Sequence, residues 1–457
     1  MQIKSNSRFE TVTGWVFGVL AAAILFAGFA FNAWGIADQK SFERFQRDGE
    51  SLIIGRLVKS RQDGIFSAGG LTGADITHSL HDTWITPRES DRQYLEYFDD
   101  IPPGQYSPYL SQIGGQGMAY SLADRLLRIS SNRTKYQIFR VLTAALSAMT
   151  LALVVAWFHA EFGLASAFLA LASLVFSQWL TLFGRNLWWS LWAFYLPMLL
   201  LMFFLRRYPL IEKRHFLQLG SLAALAAFAK CFLNGYEFIT TALVMMSVPF
   251  VYYAVAHRMN KQQFFKGAAS VIIGAGVGVL VSIVVLLVQI GAAQGNLLGG
   301  LEHLTATFEK RTYGDASDFN SEFSDSLDAN TFGVVRTYLQ GAFLELGDGS
   351  DSAGVGPVIE VRYWHLIASF AVMSILALFA WTRARSPADQ QRDIALVGAA
   401  WFSMLAPLSW FVIFKSHSYI HTHINFVIWQ MPFTLFGFAV WGIVIQRGLL
   451  AWTRRAG

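Results

Sequence analysis

The sequence has 457 residues, of which 54% are hydrophobic, and its mean hydropathy is +0.41. Only 14% of the residues are charged, against about 25% in an ordinary soluble domain. A soluble core cannot bury this much apolar surface, so the composition excludes an ordinary soluble domain and favours an all-α protein that spans a membrane many times. The net charge of +5 is small, and we expect it to come from cytoplasmic Lys and Arg and not from a nucleic-acid-binding surface.

The predicted elements begin with an apolar stretch from Trp15 to Trp34, which follows two basic residues. Its length is close to the roughly 20 residues that span a bilayer, and it exceeds the apolar region of a cleavable signal peptide. Residues 1–36 are therefore predicted to be an uncleaved signal-anchor helix. Residues 37–137 are too polar for a membrane segment, and we expect a first extracytoplasmic loop that carries short amphipathic helices.

Apolar spans recur through residues 138–290 and again through residues 363–457, which end in a basic tail. Between them lies a second polar segment, residues 291–362, whose middle is acidic and rich in glycine and serine and is expected to be partly mobile. Hydropathy averaged over a sliding window of membrane-spanning length predicts about ten transmembrane helices in total. After the first helix, the predicted spans are Ile138–Phe158, Phe162–Phe183, Leu187–Leu205, Phe216–Leu233, Phe238–Val255, Ala268–Ile290, Tyr363–Trp381, Ile394–Phe414 and Phe426–Ile445.

The charge of the short loops predicts the orientation of the chain. If the N-terminus lies in the cytoplasm, every inner loop that is long enough to carry charge is basic, as the positive-inside rule requires. Both termini are therefore expected in the cytoplasm, and both long polar segments on the opposite face. The basic residues of the inner loops and the tail are Arg206, Arg207, Lys213, Arg214, Arg258, Lys261, Lys266, Arg383, Arg385, Arg392, Arg447, Arg454 and Arg455.

An acidic pair lies shortly after the first span, in the sequence Asp48-Gly49-Glu50. The residues that follow, Leu52 to Val58, have the apolar spacing of an amphipathic helix that can lie at the membrane surface. A carboxylate at the start of such a helix is stabilised by the helix N-terminus. Asp and Glu are also ordinary cap residues, so a solvated helix cap is the alternative interpretation.

Two further clusters place cations beside apolar runs. Arg185 lies in the turn of residues 184–189 between two spans, where it can either extend to the interface or bind a phosphate through two hydrogen bonds. Lys230 and Glu237 flank a short segment between two other spans, and ionisable groups at membrane depth are functional candidates by default. A structural Lys230–Glu237 ion pair is the alternative. The single cysteine, Cys231, excludes an intrachain disulfide and a cysteine-based zinc cluster.

The last cluster, residues 415–423, contains three histidines in seven residues. His417 and His421 would align on one turn of a helix, whereas His421 and His423 suit an extended pair of ligands. Three histidines can bind zinc, but no carboxylate lies within the cluster to complete a site. Together with Lys415 and Tyr419 they can instead receive a phosphate, and the scarcity of polar residues in this chain favours a functional cluster.

The order of these features resembles the GT-C superfamily of integral-membrane glycosyltransferases, which use polyprenyl-phosphate sugars. The resemblance covers most of the chain in architecture: a first span, a long outer loop with acidic residues near its start, and many further spans. Residues 140–200, with their Gly-Arg-Asn-x-Trp-Trp turn, look like the family's stretch of closely spaced spans. The resemblance implies a GT-C-like fold in a bacterial inner membrane, with the active site on the periplasmic face.

The family's catalytic base is an acidic residue of the first outer loop, which maps here onto Asp48 or Glu50. A glycine interrupts the usual Asp-Glu pair, so the choice between them stays open, and Asp99 and Asp100 are the fallback. Transfer from a lipid phosphate also needs cations that stabilise the departing phosphate. The residues predicted to bind the donor phosphate are Arg185, Lys230, Lys415, His417, Tyr419 and His421, with Asn234, Tyr236, Glu237 and His423 in support.

The expected partners are a polyprenyl-phosphate-linked sugar donor, a periplasmic acceptor (a pilin or other protein, or a glycan lipid) and membrane lipids, without nucleic acid. The predicted site residues do not themselves require a cofactor, and a divalent metal ion stays an open alternative. A polytopic transporter or lipid flippase, with Lys230 and Glu237 along its path, is a first alternative. An O-antigen ligase-like enzyme is a second. No P-loop and no His-Glu-x-x-His motif is present, and the glycines Gly276 and Gly278 are interpreted as helix packing.

Overall fold

The computed structural model describes residues 8–76, 87–209, 212–319, 321–346, 359–379 and 386–456. Within these residues the chain is an all-α polytopic membrane protein, because helices dominate and several are long and apolar enough to cross a bilayer. Seven described segments meet that requirement, namely Gly14–Phe31, Asn132–Phe162, Lys213–Asn234, Ile239–Ala256, Lys261–Gln294, Pro387–Ile413 and Thr422–Leu449.

The helices follow one another with short connections. Those of the first half are α1 (Arg8–Phe31), α2 (Gln39–Arg44), α3 (Arg47–Asp63), α4 (Pro87–Phe98), α5 (Gly115–Leu126), α6 (Asn132–Phe162), α7 (Leu164–Val175), α8 (Gln178–Phe183), α9 (Leu191–Arg207) and α10 (Lys213–Asn234). Those of the second half are α11 (Ile239–Ala256), α12 (Lys261–Gln294), α13 (Leu297–Arg311), α14 (Ser321–Asp328), α15 (Thr331–Gln340), α16 (Tyr363–Phe379), α17 (Pro387–Ser403), α18 (Leu405–Ile413), α19 (Lys415–Ile420), α20 (Thr422–Asn425) and α21 (Phe433–Ala456).

Two antiparallel ribbons supply the strands of the described residues. Strand β1 (Gly73–Asp75) pairs with β2 (Tyr106–Pro108), with Ala74 opposite Ser107. Strand β3 (Ala342–Leu346) pairs with β4 (Ile359–Arg362) and contains an irregularity between residues 342 and 344. The first ribbon lies in the first polar segment, where it forms part of a cavity wall described below.

Two of the ten predicted spans are shorter than expected. The span Phe162–Phe183 is divided into α7, which ends at Val175, and α8, which Ser177 caps by accepting a hydrogen bond from the backbone N–H of Leu180. At 12 residues, α7 is roughly 18 Å long, well short of the roughly 30 Å apolar layer of a bilayer. Helix α9 has 17 residues. These short helices pack against long ones, α7 against α21 and α9 against α11.

The second polar segment contains more regular structure than its composition suggests. Residues 297–340 are largely the three helices α13, α14 and α15, and not an extended mobile loop. Asparagine caps hold two of them, since Asn296 accepts from the N–H of Leu298 and Asn330 accepts from the N–H of Phe332. The rest of the expected mobile stretch, residues 347–358, lies outside the described residues.

The inner loops of the predicted topology meet at one end of the bundle. There Arg206 lies 3.8 Å from Glu161, and Arg258 donates to Gln391 at 3.0 Å. Residues of the first and second polar segments line one shared cavity, so these two segments lie beside each other. The charge pattern assigns the basic end to the cytoplasm, and this orientation remains a prediction of the positive-inside rule.

Close helix packing joins α10 to α12. A Cβ added to Gly274 would lie 2.1 Å from the carbonyl oxygen of Gly220, and one added to Gly278 would lie 2.2 Å from that of Ala224. Helices α10 and α12 therefore approach at a distance that only small residues permit. The helix-packing interpretation is confirmed for Gly278, whereas Gly276 has no atom within 4 Å of its Cβ position.

A buried arginine organises the first polar segment. The guanidinium of Arg56 on α3 is inaccessible to solvent and donates to the carbonyl oxygens of Gly64, Ile65 and Ser67 at 2.8, 2.7 and 2.6 Å. Because buried charge is costly unless it is fully hydrogen-bonded, these contacts stabilise one conformation of the loop that leads from α3 to β1. The loop in turn holds the first ribbon against α3.

Candidate functional site

A cavity of about 770 Å³ lies where the two polar segments meet the ends of the long helices. This volume is typical of ligand-binding clefts. Six of the residues predicted from the sequence line it: Asp48, Tyr236, Glu237, His417, His421 and His423. Trp188 and Trp189 of the Gly-Arg-Asn-x-Trp-Trp turn also line it. Other polar and aromatic lining residues, which were not predicted from the sequence, include Gln46, Tyr109, Gln112, His303, Thr307, Lys310, Arg311 and Asp318.

Asp48 presents its carboxylate to the cavity from the first turn of α3. The turn before it is strained, because Gln46 adopts a left-handed conformation with φ 48°. Asp48 is exposed and has no cationic side chain within 4 Å among the described residues. Gly49 next to it lies against Trp188, whose ring carbon Cδ1 would be 3.1 Å from an added Cβ. The glycine therefore allows the indole to reach the cavity wall beside Asp48.

Glu50 points away from the cavity and is buried in a hydrogen-bond network. Its carboxylate accepts from the hydroxyls of Tyr136 and Tyr94 at 2.5 and 3.0 Å, and from the backbone N–H of Leu187 at 2.9 Å. These bonds connect α3 to α4, to α6 and to the turn before α9. The two acidic residues thus occupy different environments, one facing the cavity and the other inside the fold.

Arg185 stabilises the junction between α1 and α2. Its guanidinium donates to the carbonyl oxygens of Ala30 and Phe42, both at 3.1 Å, and lies 3.6 Å from the centre of the Phe42 ring. Burial is the main reason that the pKa of Arg185 falls to about 10, and the nearby Arg140 lowers it further. Arg185 is not among the residues that line the cavity.

Two predicted lysines also bind backbone carbonyls. Lys230 donates to Gly235 at 2.8 Å and to the carbonyl oxygen of Glu237, so it contacts the backbone of Glu237 and not its carboxylate. Lys415 donates to the carbonyl oxygens of Leu327 and Ala329 at 2.5 and 2.9 Å. Both ammonium groups satisfy carbonyls that the ends of α10 and α14 leave unpaired. Neither lysine lines the cavity.

Glu237 is held at a sharp bend between α10 and α11. Gly235 and Phe238 on either side of it are left-handed, with φ 61° and 53°. The Glu237 carboxylate lies 2.5 Å from His417 Nε2 and 3.6 Å from Arg311 Nη1. Burial opposes ionisation, but His417 and Arg311 prevail and lower the pKa of Glu237 to about 2. A buried carboxylate with an imidazole and a guanidinium as neighbours therefore joins the bend to α13 and α19.

The three histidines lie side by side along the cavity. The ring centres of His417 and His421 are 4.4 Å apart, and those of His421 and His423 are 5.4 Å apart. Burial, reinforced by the charge of His417, lowers the pKa of His421 to about 3, so this ring is neutral at physiological pH. Its Nδ1 is buried and has no hydrogen-bond partner among the described residues.

The arrangement of the histidines bears on the zinc alternative. No group of three or more His, Cys, Asp or Glu side chains in the described part of the chain is arranged to hold a metal ion. His417 directs Nε2 to Glu237, so that nitrogen already has a partner. We therefore interpret the cluster as a hydrogen-bonding wall of the cavity.

Helix α13 provides a cationic wall of the cavity, which was not predicted from the sequence. Its residues His303, Thr307 and Lys310 follow a spacing of four and three, which places them on one face of the helix. Arg311 adds a bond from its Nη2 to the Tyr109 hydroxyl at 3.2 Å, and the Lys310 ammonium lies 4.3 Å from the centre of the Phe323 ring. The helical spacing of these residues was a detectable signal, but the acidic and glycine-rich neighbouring stretch hid it.

The remaining predicted residues lie outside the cavity. Asn234 is buried and donates to the carbonyl oxygen of Ser190 at 2.9 Å. Tyr419 is half-exposed and lines a separate cavity of about 300 Å³. Asp99 and Asp100 are exposed at the end of α4, and Asp100 lies 2.9 Å from Arg61. The fallback acids therefore belong to the surface of the first polar segment.

The cavity combines three kinds of chemistry. Asp48 offers a carboxylate that can accept a proton. Lys310 and Arg311 offer charge that can stabilise an anion. Trp188 and Tyr109, whose rings meet edge to face at 5.4 Å, offer flat aromatic surface. Comparisons of the chain with protein-family models, curated proteins and solved structures found no match, so what this site does has to be argued from its own residues.

Proposed function

We propose that this protein is a membrane glycosyltransferase of GT-C type, which moves a sugar from a polyprenyl-phosphate donor to an acceptor on the periplasmic face of a bacterial inner membrane. The observation that carries the proposal is the shared cavity of Asp48, Lys310 and Arg311 at the end of a membrane-spanning bundle. A proton acceptor and two cations within one cleft are what glycosyl transfer from an anionic lipid carrier requires.

In the proposed reaction, the acceptor hydroxyl lies beside Asp48 and the donor phosphate beside Lys310 and Arg311. The hydroxyl oxygen forms a bond to the anomeric carbon of the sugar, and the bond from that carbon to the phosphate oxygen breaks. The hydroxyl proton passes to the Asp48 carboxylate, and the departing polyprenyl phosphate keeps the bonding electrons. The two cations stabilise the charge that develops on the phosphate.

Between the two acids of the first outer loop, the contacts favour Asp48 as the base. Asp48 faces the cavity, whereas each oxygen of Glu50 already accepts hydrogen bonds within the fold. Lys310 and Arg311 are favoured as the phosphate-binding cations over Arg185 because both line the cavity and Arg185 does not. His421 and His423 then contribute as hydrogen-bonding groups.

The experiment is a transfer assay with purified protein in lipid nanodiscs. The nanodiscs carry undecaprenyl-phosphate hexose or undecaprenyl-phosphate pentose, and mass spectrometry follows the release of undecaprenyl phosphate on addition of pilin or glycolipid acceptors. Asp48→Asn is expected to abolish release, because the amide cannot take the proton. Asp99→Asn serves as the matched control and is expected to keep full activity.

Three outcomes would count against the proposal. Full activity in Asp48→Asn would remove the carboxylate from the mechanism. Movement of the lipid-linked sugar across the membrane without a new covalent product would favour the flippase alternative. Transfer that requires a diphosphate lipid donor would favour the ligase-like alternative.

A further inference from the structure

Helix α13 has three different faces along its 15 residues. His303, Ala306, Thr307 and Lys310 line the cavity on one face. Leu297, Leu301 and Phe308 lie on the opposite face, and each is more than half exposed. Since residues repeat about every 3.6 positions in a helix, the two sets are separated by nearly half a turn. A third face, with the exposed Glu302 and Glu309, lies between them.

The described chain leaves most of the apolar face uncovered, with one edge-to-face contact of Phe308 to Phe414 at 6.2 Å between ring centres. Leu301 and Phe308 are 53% and 57% exposed, and Leu298 beside them is 73% exposed. Large apolar side chains grouped on one helical face mark a contact with a membrane or a protein. A transmembrane role is excluded for α13, because a helix of 15 residues is roughly 22 Å long and this one carries four charged residues.

Both ends of α13 are attached to membrane helices. Its N-terminus follows α12 after a two-residue turn at Gly295, and Gly300 packs against Ile290 of α12, with 3.1 Å between the Ile290 Cγ2 atom and the Cβ position of Gly300. Just after its C-terminus, the Tyr313 hydroxyl donates to the carbonyl oxygen of Val412 in α18 at 2.5 Å. Helix α13 therefore bridges the ends of two candidate spans and is held at their level.

The exposed apolar surface of α12 continues to the junction with α13. Val284 and Val288, in the last turns of that span, are 52% and 60% exposed. A bilayer that covers these valines ends close to the start of α13. The lipid boundary is thus the cover that fits the apolar face, whereas the glutamates of the third face suit water.

We infer that α13 is an interfacial helix whose apolar face, Leu297, Leu301 and Phe308, lies in the boundary region of the bilayer while its opposite face forms a wall of the cavity. Amphipathic helices of this kind lie in the membrane plane with their apolar face buried among the lipids. The cavity consequently lies at the level of the lipid headgroups, and Lys310 is within one helix diameter of them. This inference does not depend on the proposed transfer reaction.

The test uses environment-sensitive fluorescence in nanodiscs. The only native cysteine, Cys231, is buried, so a single introduced surface cysteine can be labelled selectively. Leu301→Cys and Phe308→Cys, labelled with a nitrobenzoxadiazole dye, are expected to lose most of their fluorescence when doxyl-labelled phosphatidylcholine is included, and little with iodide in the buffer. Glu302→Cys, the neighbouring control, is expected to show the reverse.

Two results would overturn the inference. Quenching of the Leu301 and Phe308 sites by iodide and not by doxyl lipid would place this face in water. Protection from both quenchers would mean that a protein surface, such as a second copy of the chain, covers the face. Neither measurement needs transfer activity, so a failure here is distinguishable from a failure of the proposed function.

Discussion

Glu237 offers the sharpest test of how the cavity is held together. Its carboxylate lies 2.5 Å from His417 Nε2 and 3.6 Å from Arg311 Nη1 at a buried bend of the backbone. Replacement by glutamine keeps the shape of the side chain and removes its charge. The variant then leaves Arg311 without its counter-charge in a largely buried position, and breaking a buried pair in this way is strongly destabilising.

The size of the effect follows from the pKa. The His417 and Arg311 side chains lower the pKa of Glu237 from its usual 4.5 to about 2 against the opposing effect of burial. A pKa difference of one unit corresponds to about 1.4 kcal/mol, so the lowered pKa of Glu237 corresponds to about 3 kcal/mol of stabilisation of the folded state. Because the pKa is lowered in the folded state, the contribution is complete above pH 4.5 and is lost as the pH falls towards 2.

The assay is unfolding of Glu237→Gln and of the unsubstituted protein by sodium dodecyl sulfate in mixed micelles at pH 7, with tryptophan fluorescence as the signal. We expect the variant to lose about 3 kcal/mol of unfolding free energy, and Glu302→Gln, on the exposed face of α13, to lose almost none. In thermal unfolding, the difference between variant and parent should shrink as the pH is lowered from 4.5 towards 2. Equal stability of Glu237→Gln and the parent at pH 7 would refute the reasoning.

Three further substitutions test other parts of the structure. Glu50→Gln places an amide N–H₂ opposite the hydroxyl and N–H donors that now bind the carboxylate. We expect this substitution to lower the unfolding free energy by about 1–3 kcal/mol in the same assay. Gly278→Leu should prevent close packing of α10 and α12 and greatly reduce the yield of monodisperse protein in size-exclusion chromatography, whereas Gly276→Leu should behave like the parent. Lys310→Ala should reduce release of undecaprenyl phosphate about 10- to 100-fold while the unfolding midpoint changes little, and an unchanged rate would remove this lysine from the phosphate site.

Hydropathy and charge alone predicted the class of fold. The bilayer requires long apolar helices, and that requirement is visible as runs of Phe, Leu and Val without any knowledge of tertiary contacts. The division of residues 162–183 into α7 and α8 was not predicted, because it depends on one cap by Ser177 inside an otherwise continuous apolar run. A hydropathy window averages such a local feature away.

The candidate site was predicted only in part, for a different reason. Scarcity of charge pointed to Lys230, Arg185 and Lys415 as well as to Glu237, since all four are expensive near a membrane. The sequence does not show that carbonyl oxygens at helix ends satisfy the three cations, while Glu237 is left to face a cavity. Which of Asp48 and Glu50 faces that cavity likewise depends on where α4 and α6 place two tyrosines.

The contact between Gly49 and Trp188 has a consequence for how this sequence can vary. A side chain at position 49 and an indole at position 188 would compete for the same space, since an added Cβ would lie 3.1 Å from the ring. We expect related chains to change the two positions together, with a smaller residue at 188 wherever 49 is no longer glycine. Chains with an acidic residue at position 49 should then be those without a tryptophan at position 188.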